Sequence, residues 1–193
     1  MKADAYEVTK VLGYDRQLFA PLFQRPYVWK KSEQWEPLWN DIRRMAERLL
    51  SCTGDKDTLK VKPHFFGAVV LDQFRVPVGK PDARSIIDGQ QRLTTLELLL
   101  VAFRDCLRTD AKNDKQARKL ERLLFNEDMD EDADRYKVLP TNIDRAPYKA
   151  VMDAGSPAAL HKQAEAKKVD EKASVVEAYY YHVTLYLSYL GKL

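Results

Sequence analysis

Asp88-Gly89-Gln90-Gln91-Arg92-Leu93-Thr94-Thr95 places an acid, a glycine, two amides, a guanidinium and two hydroxyls within one short stretch. It follows the apolar run Ser85-Ile86-Ile87 and precedes a helical pattern. Its backbone amides can therefore sit at a helix N-terminus, where the helix dipole favours an anion. Gly89 permits close backbone approach or a positive φ, Arg92 offers a planar fork to two phosphate oxygens, and Thr94 and Thr95 can add donors. Asp88 can hold a magnesium ion, orient a water or accept a proton, while Gln90 and Gln91 can hydrogen-bond a nucleobase, a sugar or a water. Asp88 and Gln91 are thus the candidate catalytic residues of the stretch, and Gly89, Gln90, Arg92, Thr94 and Thr95 its candidate nucleotide contacts. A bland role also fits, with Asp88 capping a helix and Arg92 making a surface pair. The pattern is neither a Walker A loop nor a dinucleotide fingerprint.

Phe23-Gln24-Arg25-Pro26-Tyr27-Val28-Trp29 is a second unusual cluster. Pro26 enforces an extended or turned backbone there, Arg25 can reach a phosphate, and Tyr27 and Trp29 can either stack on a base or serve as hydrophobic lids. His64, at the entrance to an apolar run, is a candidate base or a satisfied polar group. His161 and His182 read as structural, and Tyr179, Tyr180 and Tyr181 read as core and partner surface.

Elements must bring these residues together. Glu7 to Leu12 reads as a short helix, and Gln17 to Phe23 as a strand running into the break at Pro26. Ser32 is the expected cap of a helix reaching Cys52, with an apolar stripe at Trp35, Leu38, Trp39, Ile42, Met45 and Leu49. Gly54 to Lys62 reads as a loop, His64 to Leu71 as a buried strand, Val76 to Arg84 as a turn, and Ser85 to Ile87 as a strand. Thr94 and Glu97 have capping-box spacing before a helix with Leu96, Leu99, Leu100, Phe103 and Leu107 on its apolar face. A charged helix is expected over Lys112 to Phe125, a solvated acidic loop over Asn126 to Asp134, a strand over Tyr136 to Leu139 and a helix over Asp144 to Met152. Gly155 to Pro157 breaks the chain before a long helix from Val169 to Leu193.

With 193 residues, 45% hydrophobic and 32% charged, the chain can bury a sizeable core. Its net charge of +3 offers no global cationic field for nucleic acid, so phosphate binding must be local. Cys52 and Cys106 lack neighbours at ligand spacing, which argues against a zinc site or disulfide framework and fits a reducing cytoplasm. There is no apolar signal core and no membrane-length apolar run.

Three segments, Phe23 to Trp29, His64 to Leu71 and Ile86 to Leu96, recur in this order and spacing in one family, and Leu139 to Tyr148 and Glu177 to Tyr181 look like its later segments. The chain resembles the GmrSD-type restriction endonuclease N-terminal domain family along nearly its whole length. That resemblance implies an α+β fold of the ParB and sulfiredoxin kind, a small mixed sheet with surrounding helices. In that fold a Gly-x-x-Arg turn, matched here by Gly89 to Arg92, holds nucleotide phosphates. Residues 1–155 would form the nucleotide-binding domain and residues 156–193 a helical extension leading to a further domain. The implied function is an NTP-binding and hydrolysing module, with Mg2+ at Asp88, that licenses DNA cleavage by a C-terminal or separate nuclease domain in phage defence. Catalysis would rest on Asp88, Gln91 and His64, and nucleotide binding on Arg25, Tyr27, Gly89, Gln90, Arg92, Thr94 and Thr95. The alternatives are a non-hydrolytic module for DNA or a modified base, a ParB-like nuclease in its own right, or an interaction scaffold using the C-terminal helix. A homo-oligomer is left open. Three scattered histidines do not suggest an HNH nuclease site in this chain.

Overall fold

The computed structural model describes residues 4–52, 54, 61–76, 82–127, 129 and 132–190. Helix α1 (Val8–Leu12) leads into β1 (Arg16–Phe19), and a π turn over Lys31–Trp35 leads into α2 (Glu36–Leu50). Strands β2 (Val70–Phe74) and β3 (Asp82–Asp88) precede the long α3 (Gln90–Leu107). Then come α4 (Asp114–Leu124), β4 (Val138–Leu139), α5 (Asn142–Asp153), α6 (Pro157–Glu165) and α7 (Ser174–Leu190). The class is α+β, as the sequence predicts.

The strands form one mixed sheet in the order β2-β3-β1-β4. The central β1 runs parallel to β3 on one side and to β4 on the other, and β2 runs antiparallel to β3. Consequently β1, β3 and β4 all end at the same edge of the sheet, and β2 starts there. Helix α3 packs Leu93 and Leu96 with Leu18, Ile86 and Val138 of the sheet, while Leu98, Val101 and Ala102 join the larger core of α5 and α7. A helix covered on all sides needs no polar face, and 15 of its 18 residues are buried rather than the single stripe that its leucines predicted. Inside this core Asp105 accepts hydrogen bonds from Arg104 Nε (2.8 Å) and Tyr179 Oη (2.7 Å), and Arg104 Nη2 donates to the Met152 carbonyl (3.1 Å), linking α3, α5 and α7.

Several expected elements shift for identifiable reasons. β1 stops at Phe19, and Pro21 to Gln24 forms a turn closed by Gln24 N donating to Pro21 O (3.1 Å). Ser32 is not a cap, because Trp35 N donates to Lys30 O (3.2 Å) and the helical backbone therefore starts at Lys31. His64 to Leu71 is not a buried strand. Gly67, at φ +104°, interrupts it, and pairing begins only at Val70, on an edge strand whose residues are half-buried or exposed. Thr94 and Glu97 do not make a capping box; both lie buried inside α3, whose N-cap is Gly89. The C-terminal helix begins at Ser174, and α6 was not predicted. Much of the expected loop Gly54–Lys62 and of the turn Val76–Arg84, part of the acidic run, and the last residues of the C-terminal helix lie outside the described residues.

Candidate functional site

In open sheets with parallel strands, the loops after the strand ends form the natural ligand crevice. Here that edge collects the motif segments: residues 20–29 after β1, 88–92 after β3 and 140–145 after β4, with residues 64–69 arriving before β2. Gly89 sits between β3 and α3 in the left-handed region, with φ +96°. A Cβ there would stand 3.0 Å from Val69 Cγ2 and 3.2 Å from the Ala68 carbonyl, so conformation and space both demand glycine. The first i→i−4 bond of α3 runs from Leu93 N to Gly89 O (3.0 Å), which leaves the amides of Gln90, Gln91 and Arg92 outside the helix's own ladder.

The two glutamines are spent on architecture. Gln90 Nε2 donates to Arg25 O (2.6 Å) and Gln91 Nε2 to Pro26 O (3.0 Å), while Gln91 Oε1 accepts from Val28 N (3.0 Å). Both are buried, and together they seat the 25–28 segment on the first turn of α3. Tyr27 continues the seat. Its hydroxyl shares a hydrogen bond with Thr95 Oγ1 (2.7 Å) and accepts one from Trp35 Nε1 (2.8 Å), while Thr95 Oγ1 donates to Gln91 O (2.8 Å). Tyr27 N donates to Asp144 Oδ2 (2.8 Å), which also accepts from Thr141 Oγ1 (2.7 Å). With 4% exposure, Tyr27 has no face for a base, and burial raises its phenol far above its usual pKa. Thr94 and Thr95 are buried and Trp29 packs against the core, so these three support the edge from below.

What faces outward is a smaller set. The Asp88 side chain is 68% exposed and its Oδ2 lies 3.2 Å from Arg92 Nη2. Arg92 Nη2 also donates to Ala68 O, and a Cβ on Gly67 would stand 3.0 Å from Arg92 Cδ, so the guanidinium lies across residues 67–68. Its Nε is buried without a hydrogen-bond partner. Arg25 is exposed, and no ion pair among the described residues involves it. His64 does not join Asp88; its Nε2 lies 3.6 Å from Asp41 Oδ2 on α2. Among the described residues no three His, Cys, Asp or Glu side chains gather as a metal-holding group.

The sequence pattern of the GmrSD restriction endonuclease, N-terminal domain, matches residues 8–188, a span that takes in every segment meeting at this edge. The chain belongs to that family. Membership gives this GmrSD N-terminal domain a role in a restriction system, and with it a relation to DNA and to a nuclease domain. No curated protein matches the chain. No helix among the described residues is long and apolar enough to cross a membrane.

Sequence reasoning missed two anchors of the GmrSD edge. Asp144 was read as part of a helix start, yet it bonds to Tyr27, which is 117 positions away along the chain. Gln24, whose Nε2 donates to Ile87 O (2.9 Å), ties the turn after β1 to the end of β3. Neither contact leaves a local signal, because both depend on β1, β3 and β4 ending together.

Proposed function

We propose that the outward set of Arg25, Asp88, Gly89 and Arg92 binds the phosphates of a nucleoside triphosphate and supports its slow hydrolysis, and that this step licenses DNA cleavage by a separate nuclease domain. The observation that supports it best is the division of labour within the motif. Gln90, Gln91, Thr95 and Tyr27 lock the backbone, while two guanidinium groups, one carboxylate and the first amides of α3 stay available at a parallel-strand edge. Anions favour such a helix start, and paired guanidinium groups supply charge-assisted donors to phosphate oxygens. A phosphate would compete with Asp88 for Arg92 Nη2, whose side chain is partly exposed, while the buried Nε stays behind Gly67.

The donor set also fits magnesium, which is commonly held by one or two carboxylates together with substrate phosphates. Asp88 would be the protein ligand, and the ion would neutralise charge on the phosphoryl oxygens. Asp88 would also be the group that accepts a proton from an attacking water. Gln91 acts as a positioning residue in this geometry, and His64, which lies against Asp41 on α2, is left out of the reading.

Calorimetric titration with the four NTPs, with and without magnesium, tests this reading. Micromolar to millimolar binding that Arg92→Ala abolishes in a folded protein supports it; unchanged affinity in that variant sinks it. Phosphate release lost in Asp88→Ala with binding retained supports hydrolysis, and binding without any release in the wild type would leave a non-hydrolytic site. The purified chain is expected not to nick plasmid DNA with NTP and magnesium or manganese. Nicking that vanishes in Asp88→Ala would make the domain itself the nuclease.

A further inference from the structure

The aromatic residues that the fold presents at this edge are not those the sequence put forward for stacking. Phe23 and Phe65 are 77% and 81% exposed, whereas Tyr27 and Trp29 are committed to packing. Both exposed rings stand on segments tied to the Asp88–Arg92 turn. Phe23 lies within the Pro21–Gln24 turn, and the next residue, Gln24, holds the carbonyl of Ile87. Phe65 comes two residues before Gly67, which lies against the Arg92 side chain. Because β3 runs between β1 and β2, the segment carrying Phe23 reaches the turn from one side and the segment carrying Phe65 from the other. Exposed Arg25 follows Phe23 by two positions.

We infer that Phe23 and Phe65 form the base-stacking subsite of this edge, receiving the nucleobase of the ligand whose phosphates lie at Arg92. The inference rests on the nucleotide-binding reading above. A phenyl ring has no donor or acceptor, so it offers a base only its π face, and such stacking tolerates all four bases. The subsite therefore adds affinity with little discrimination, and purines, with the larger face, gain most. Ile87, exposed beside Gln24, extends the apolar rim.

The test compares ATP and UTP with inorganic tripolyphosphate, each with magnesium, on the full chain and on Phe23→Ala and Phe65→Ala. Both side chains are exposed, so the variants are expected to unfold at the wild-type temperature. At least one substitution should weaken ATP binding by about fivefold to a hundredfold, the range for loss of one stacked base, and leave tripolyphosphate affinity unchanged. Tyr at the same position should restore it, and Trp should give an emission quenched by ATP but not by tripolyphosphate. If both Ala variants bind ATP like the wild type while Arg92→Ala does not, the rings serve another partner and this inference is overturned with the phosphate reading intact. If the wild type binds neither ATP nor tripolyphosphate, the phosphate reading fails and the subsite falls with it.

Discussion

At the start of α3, Gln90, Gln91 and Thr95 are buried with hydrogen bonds to the 25–28 segment or the helix backbone, whereas Glu97, two residues after Thr95, is fully buried with neither carboxyl oxygen partnered. Tyr148 Oη, close enough to feel the Glu97 charge, also lacks a partner, and elsewhere in the interior so do both ring nitrogens of His182 on α7. Burial holds Glu97 well above the usual carboxylate range, with the Lys137 charge only partly opposing it, and pushes His182 down to about 3. A satisfied buried network specifies geometry and is expensive to break; an unsatisfied buried group weakens the fold and can be removed at a gain. The first turn is therefore kept for what it positions, and the middle of α3 is the place to look for stability not yet realised.

The largest effect should come from breaking the satisfied side. Asp144→Ala strands two buried donors, Tyr27 N and Thr141 Oγ1, and at about 1–3 kcal/mol for each orphaned group should cost about 2–6 kcal/mol in urea unfolding. A loss below about 1 kcal/mol would show that the network does not hold the 25–28 segment.

The next contrast is one of pH. His182 is neutral in the folded state with its pKa lowered, so the unfolded chain takes up the proton first as pH falls below about 6.5. Its stability contribution is complete above that pH and is lost towards pH 3, with a limiting slope of about 1.4 kcal/mol per pH unit. His182→Leu should flatten the decline between pH 6 and 4 by that much, and an unchanged slope would place the acid sensitivity elsewhere. Smaller again, and opposite in sign to Asp144→Ala, Glu97→Met should raise stability by about 1–2 kcal/mol at neutral pH, since it removes an unpartnered carboxyl without opening a large cavity. A clear loss would mean that Glu97 serves the interior.

Two of the segments that build the edge were legible in the sequence because their residue types are unusual at short range, Gly89 before a helix and Arg25 before Pro26, whereas the apolar run around Gly67 read as a buried strand because a positive φ leaves no mark on composition. The meeting of the segments was not legible, because it follows from the parallel pairing of β1 with β3 and β4, and one chain carries no local record of non-local pairing. Which side of each side chain faces the ligand was also hidden. Gln91 and Tyr27 have the chemistry of ligand contacts, and only the 25–28 segment lying on α3 turns them inward. Ser32 and the Thr94–Glu97 spacing misled because capping patterns are short, and a π turn or a left-handed glycine resets the helix start without altering them. Glu97 could not be read as buried, since nothing in the order of residues shows that α3 is enclosed on every side.

Arg25 offers the most direct test of the division between supporting and ligand-facing residues, because its side chain is exposed and unpaired among the described residues while its backbone lies within the network. The measurement is NTP affinity by calorimetry together with the unfolding midpoint for Arg25→Ala. A loss of about tenfold or more in affinity, the size of one charge-assisted phosphate contact, at an unchanged midpoint is the predicted result. Wild-type affinity in this variant would contradict the assignment of the outward set, and a lowered midpoint would show that Arg25 belongs to the support.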